Sequence, residues 1–141
     1  MRPVLVLGIV IVIVNGVVIG CGGSARKARG PGGGGEPDPD APELQVLERF
    51  QSLSQYVEQS GAQCERLATS IDSWMDGNQD EVEALVERAR AEPGLEGDHL
   101  VRVEQRLEAV FDRVLGAVEP CRGTASLDRA FGRFDRFVEG V

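Results

Sequence analysis

The sequence predicts an all-α protein: an antiparallel bundle of about four helices after an N-terminal signal helix and a disordered Gly/Pro linker. Three observations predict it. From Pro42 onward apolar residues recur in steps of three and four, the spacing of one helix face. No stretch alternates apolar and polar residues with the period of two that a half-buried strand shows. Short interruptions bearing Gly and Pro separate the periodic segments, which favours antiparallel neighbours.

The first helix is expected to begin at Pro42, a residue suited to a first turn, with Asp40 as its cap. Its seam is Val46, Phe50, Leu53, Val57, Ser60, Cys64, Leu67, Ile71 and Trp74. Read as one element it has about 35 residues and a length of about 52 Å. Ser60-Gly61 is its weak point, where a bend is expected, and Gly77 is expected to end it as a C-cap. A second helix is expected from Asn78, with Glu81 completing a capping box and Val82, Leu85, Val86 and Ala89 on its seam. Pro93-Gly94 stops it. Asp98 is expected to cap a third helix with seam Leu100, Val103, Leu107, Val110, Val114 and Val118, and Pro120 lies beyond its end. The last helix is expected from about Thr124 to Glu139, on a seam of Leu127, Phe131, Phe134 and Val138. Three of the five phenylalanines lie in it, so it is expected to supply the largest core side chains.

Ahead of these segments stands an apolar run, Val4 to Ile19, interrupted only by Gly8, Asn15 and Gly16. Met1 and Arg2 put positive charge before it, and Gly20-Cys21 closes it. This is the layout of an export signal. Val18-Ile19-Gly20-Cys21 resembles the lipobox of bacterial lipoprotein precursors. The resemblance covers about the first 21 residues. It implies that the Cys21 sulfur takes a diacylglycerol, that the chain is cut before Cys21, and that the new amino group is often acylated. By the same resemblance, Gly after the lipid-bearing cysteine favours the outer membrane over the inner. Two other readings compete: an uncleaved single-pass anchor, favoured by Arg26, Lys27 and Arg29 beyond the run, and a simple signal in which Cys21 is incidental.

The expected organisation is therefore a signal peptide at 1–20, a lipidated Cys21 with a flexible linker at 21–42, and a bundle domain at 43–141. The linker carries four consecutive glycines, Gly32 to Gly35, then prolines at 37, 39 and 42, a composition that builds no core. As a flexible coil it spans about 25 Å and lets the body stand off the membrane. With Cys21 lipidated, Cys64 and Cys121 remain as an even pair, and an oxidising exported compartment makes a disulfide the default, with two buried free thiols as the alternative. The bridge constrains the topology. Cys64 falls partway along a 52-Å helix, so either that helix breaks near Gly61 or the 92–98 segment runs extended along the bundle.

Charge narrows the partners. Of 15 basic and 23 acidic residues, 11 basic and all 23 acidic ones lie from Glu36 onward, a net −12 for the body. An acidic body argues against nucleic acid as a partner, since phosphates favour a basic surface. Arg26, Lys27 and Arg29, just past Cys21, suit anionic headgroups as well as they suit a solvated linker.

Candidate chemistry is sparse. Asp76, Asn78, Asp80 and Glu87 occupy positions 1, 3, 5 and 12 of an EF-hand-type loop. Glu81 replaces the required glycine, and a helical seam runs through the same residues, so no metal site is expected. His99 is the only histidine, and a haem held by Met75 and His99 would need both to face one cavity, so no cofactor is expected. No nucleophile elbow, phosphate loop or Cys-x-x-Cys is present, and no catalytic residues are expected. Arg129, Arg133 and Arg136 form a stripe on the last helix, either a docking face, a salt-bridge network with Asp80, Glu81, Glu83 and Glu87 of the second helix, or simply a solvated face. Trp74, on the seam, is expected in the core.

The sequence thus points to a lipid-anchored cell-envelope protein with an acidic helical body, a binding or structural module and not an enzyme. Its expected partners are membrane lipid through Cys21 and another envelope protein. The competing readings from other classes are a cofactor- or metal-carrying bundle and an enzyme whose site the fold assembles from scattered carboxylates.

Overall fold

The computed structural model describes residues 35–141. The signal at 1–20, Cys21 and the linker up to residue 34 lie outside the described residues. Four α-helices follow in order: α1 (Pro42–Ser60), α2 (Cys64–Ala91), α3 (Gly97–Val118) and α4 (Ala125–Gly140), with a 3-10 turn at Glu119–Cys121. Among the described residues there is no strand. The protein is the all-α bundle that the apolar period predicts.

One boundary differs from expectation. The first long helix breaks at Gly61 and continues through Gly77, so Gly77 is no C-cap and Asn78 starts no helix. Gly61 has φ 60 and ψ −149, a conformation open essentially to glycine alone. The Asn78 side chain donates back to the Trp74 carbonyl at 2.9 Å, four residues earlier, instead of capping. The core face explains why α2 does not stop: Trp74 and Val82 are eight residues apart, two helical steps of four, and both are buried. The expected caps also differ. Ala41 and Glu96 occupy the N-cap positions of α1 and α3, neither with a side-chain cap, so Asp40 and Asp98 do not fill that role.

Gly77 therefore sits in a helix interior, exposed, where a Cβ would meet nothing within 4 Å. Gly77→Ala is expected to stabilise the protein by about 1 kcal/mol, the helix-propensity difference. Gly61→Ala is expected to destabilise it by about 1–3 kcal/mol through backbone strain. Urea midpoints check both, and the opposite signs would restore the break to Gly77.

The packing is not a simple ring in chain order. α1 packs against α2 and α3, and α2 against α4, while α2 and α3 do not pack as neighbours. The 92–96 loop therefore carries the chain past the start of α1 to place α3 at its side. Glu43 pins that crossing. Its carboxylate is buried, and Oε1 accepts the Gly94 and Leu95 amides at 2.9 and 3.3 Å. Gly94 is required by close approach, since a Cβ there would stand 2.8 Å from the Ala41 Cβ. The chain entering α1 is held at the same end, where Arg88 donates to the Asp40 carbonyl at 3.1 Å.

The core is aromatic at its centre. Phe134 of α4 lies 6.4 Å from Phe50 of α1, 6.2 Å from Trp74 of α2 and 6.3 Å from Phe111 of α3, centroid to centroid. Trp74 is buried, and its indole N–H donates to Ser52 Oγ at 3.0 Å and to the Arg49 carbonyl at 3.2 Å. A buried Trp needs such a partner for its single donor.

Candidate functional site

Cys64 opens α2, and Cys121 closes the 3-10 turn after α3. The break at Gly61 brings them together: their Cα atoms are 5.4 Å apart and their sulfurs 2.10 Å. Of the two topologies the pair allowed, the fold takes the broken first helix. The pair braces α2 to the end of α3, two helices that are not close neighbours in the bundle. It lies at the end of the bundle opposite Glu43, where the chain enters.

The remaining sequence candidates do not converge. Cys21, the expected lipidation site, lies outside the described residues. Asp76, Asn78, Asp80 and Glu87 are spread along a continuous helix, where successive residues turn away from any common centre. Among the described residues no group of three or more His, Cys, Asp or Glu side chains is placed to hold a metal. Met75 is buried midway along α2, while His99 lies half-buried in the first turn of α3. That separates them along the bundle as well as between non-neighbouring helices. Among the described residues no helix is long and apolar enough to cross a membrane.

The arginine stripe divides. Arg133 donates to Asp76 at 2.7 Å and lies 3.5 Å from Asp72, so α4 is tied to α2. The hydrogen bond to Asp76 pushes the Arg133 guanidinium pKa up, and the charges of Asp76 and Asp72 act in the same sense. Asp72 and Asp76, not Asp80, Glu81, Glu83 or Glu87, supply these pairs; Glu81 instead meets Arg49 of α1 at 2.6 Å. Arg129 and Arg136 are exposed and make no ion pair among the described residues.

Arg136 borders a recess of about 460 Å³ between α2 and α4, lined also by Gln79, Glu83, Arg133, Phe137 and Gly140. The spacing of Arg133 and Arg136 shows a stripe but not the recess, because its two walls come from residues at least 50 positions apart. Elsewhere, burial pushes the Glu104 carboxyl pKa up, and Oε1 of that group is buried without a hydrogen-bond partner. Desolvation alone causes this shift, with no charged neighbour contributing, so it does not define a catalytic pair.

No protein-family model matches the chain, and neither a curated protein nor a solved structure shows significant similarity to it.

Proposed function

We propose that the protein is a bacterial lipoprotein of the cell envelope, held to the membrane by acyl chains on Cys21 and acting as a non-enzymatic binding or structural module. The observation that carries this reading is Val18-Ile19-Gly20-Cys21 at the end of a signal-like apolar run, followed by a Gly/Pro stretch and then the bundle. Two or three acyl chains hold a protein firmly where one holds it only marginally. A disulfide between Cys64 and Cys121 fits an exported compartment. Among the described residues the exposed large apolar side chains, Tyr56 near the end of α1 and Val101 near the start of α3, which lies by the start of α1, form no common patch, which favours polar docking over an apolar face.

Metabolic labelling tests the anchor. Cells expressing the full chain are expected to incorporate labelled palmitate into it, and Cys21→Ala is expected to abolish that label. A wild-type chain without label, or equal label in the variant, contradicts the reading.

A further inference from the structure

We propose that the chain's own basic segment, Arg26 to Arg29, docks on an acidic seam between α3 and α4. Three sides of the bundle are closed, by α1 on α2, α1 on α3 and α2 on α4. On the fourth side α3 and α4 are not close neighbours, and the Phe111 and Phe134 rings, 6.3 Å apart, span the gap. Charge on both helices is sorted by flank. Glu104, Glu108 and Asp112 form one row along α3, four residues apart, while Arg102, Arg106 and Arg113 fall on the other flank. On α4, Arg133 turns to Asp72 and Asp76 of α2, and Asp135 and Glu139, four apart, fall on the flank away from α2. α3 and α4 run in opposite directions, so right-handed helices in this order turn both acidic rows to the seam they share. Neither row contains a basic residue, and among the described residues no ion pair reaches it. Two carboxylate oxygens there, Glu104 Oε1 and Asp135 Oδ1, are buried without a hydrogen-bond partner. A buried acceptor left unpaired is costly, and a cationic donor laid over the seam removes that cost.

Charge and reach select the occupant. Residues 22–34 carry Arg26, Lys27 and Arg29 and no acidic residue, against a body of net −12. The described chain begins at residue 35, at the end of the bundle where α1 and α3 start and α4 finishes. Glu43 of α1 holds the Gly94 and Leu95 amides there, and Arg90 near the end of α2 donates to the Val141 carbonyl. Lys27 stands eight residues before this entry, a reach of at most about 28 Å. Glu104 is seven residues past Gly97, about 10 Å along the bundle, and Glu139 is near the same end. Glu104, Glu108, Asp135 and Glu139 are therefore within range of the segment. Single exposed ion pairs are weak, but the short tether makes the encounter intramolecular, at an effective concentration of about millimolar. Docked, the segment draws the body toward Cys21; released, it leaves the linker at full length. The docking goes beyond the anchor and does not require that Cys21 be lipidated.

Lys27 is the only lysine in the chain, which gives the test a single reporter. The full chain in neutral detergent, dilute and at low salt, is treated with a zero-length carbodiimide, and peptide masses locate the amide bond formed by Lys27. The expected product is a monomer with Lys27 joined to Glu104, Glu108, Asp135 or Glu139, and its yield is expected to fall severalfold at roughly 0.5 M salt. A second readout is amide-resolved NMR of the chain carrying Arg26→Gln, Lys27→Gln and Arg29→Gln together. These changes lie outside the bundle, and shifts from the wild type are expected at 104–112 and 135–139. Cross-links confined to Glu36, Asp38 and Asp40 beside the segment, or to carboxylates off the seam, would overturn the proposal. Links between two chains would give the segment to a second copy, and an unlinked Lys27 with unchanged NMR shifts would leave it to headgroups or solvent; each of these outcomes also overturns it.

Discussion

Phe134→Ala is expected to destabilise the protein by about 3–5 kcal/mol, the range for emptying a fully buried phenylalanine site. Phe134 is 1% exposed, and its ring meets Phe50, Trp74 and Phe111, one from each of the other three helices. Removing it opens a cavity where all four helices meet, and the rings around it cannot all close in at once. Phe131 provides the internal comparison. It is only partly buried, and its one described ring contact is Phe134 at 5.9 Å. Phe131→Ala is therefore expected to cost well under half as much. Urea unfolding reads both as midpoint shifts at an unchanged slope. Equal losses from the two variants would contradict the central position given to Phe134.

Loss of the cysteine pair is expected to have an effect of similar size. A bond between Cys64 and Cys121, separated by 57 residues, removes chain entropy from the unfolded state worth about 4 kcal/mol. For a domain of this size that corresponds to roughly 15–30 °C in thermal midpoint. Cys64→Ala with Cys121→Ala should reproduce the full loss and abolish any response to reductant, while the wild-type protein should soften in reductant toward the variant. The geometry adds a second readout. The pair is the brace between α2 and α3, so amide exchange should accelerate most around Cys64 and Val118–Cys121 and least at the Glu43 end. A wild-type midpoint indifferent to reductant would mean that the two thiols are free.

Much of the fold is legible in the sequence, because burial follows the helical period. Val46, Phe50, Leu53, Val57, Leu67, Ile71, Val82, Val103, Leu107 and Leu127 recur at helical spacing, and all are buried. The misplaced break has a physical origin. Gly61 to Gln63 insert three residues between α1 and α2, close to one helical turn, so the step from Ser60 to Cys64 looks helical although the chain reverses there. Gly77 misled in the opposite way: a glycine beside a capping-type Asn reads as a stop, yet the Asn78 amide bonds backward within the helix. The burial of Glu43 was not readable, because it depends on Gly94, 51 positions away, crossing beneath α1. The recess between α2 and α4 was hidden for the same reason.

The anchor at Cys21 is the central claim, and an intact mass of the protein from the native membrane fraction, with and without reductant, tests it most directly. The account predicts a species that begins at Cys21 and carries acyl mass, with a further gain of about 2 Da on reduction as one disulfide opens. A full-length species without acyl mass would contradict it and make residues 1–20 a permanent anchor.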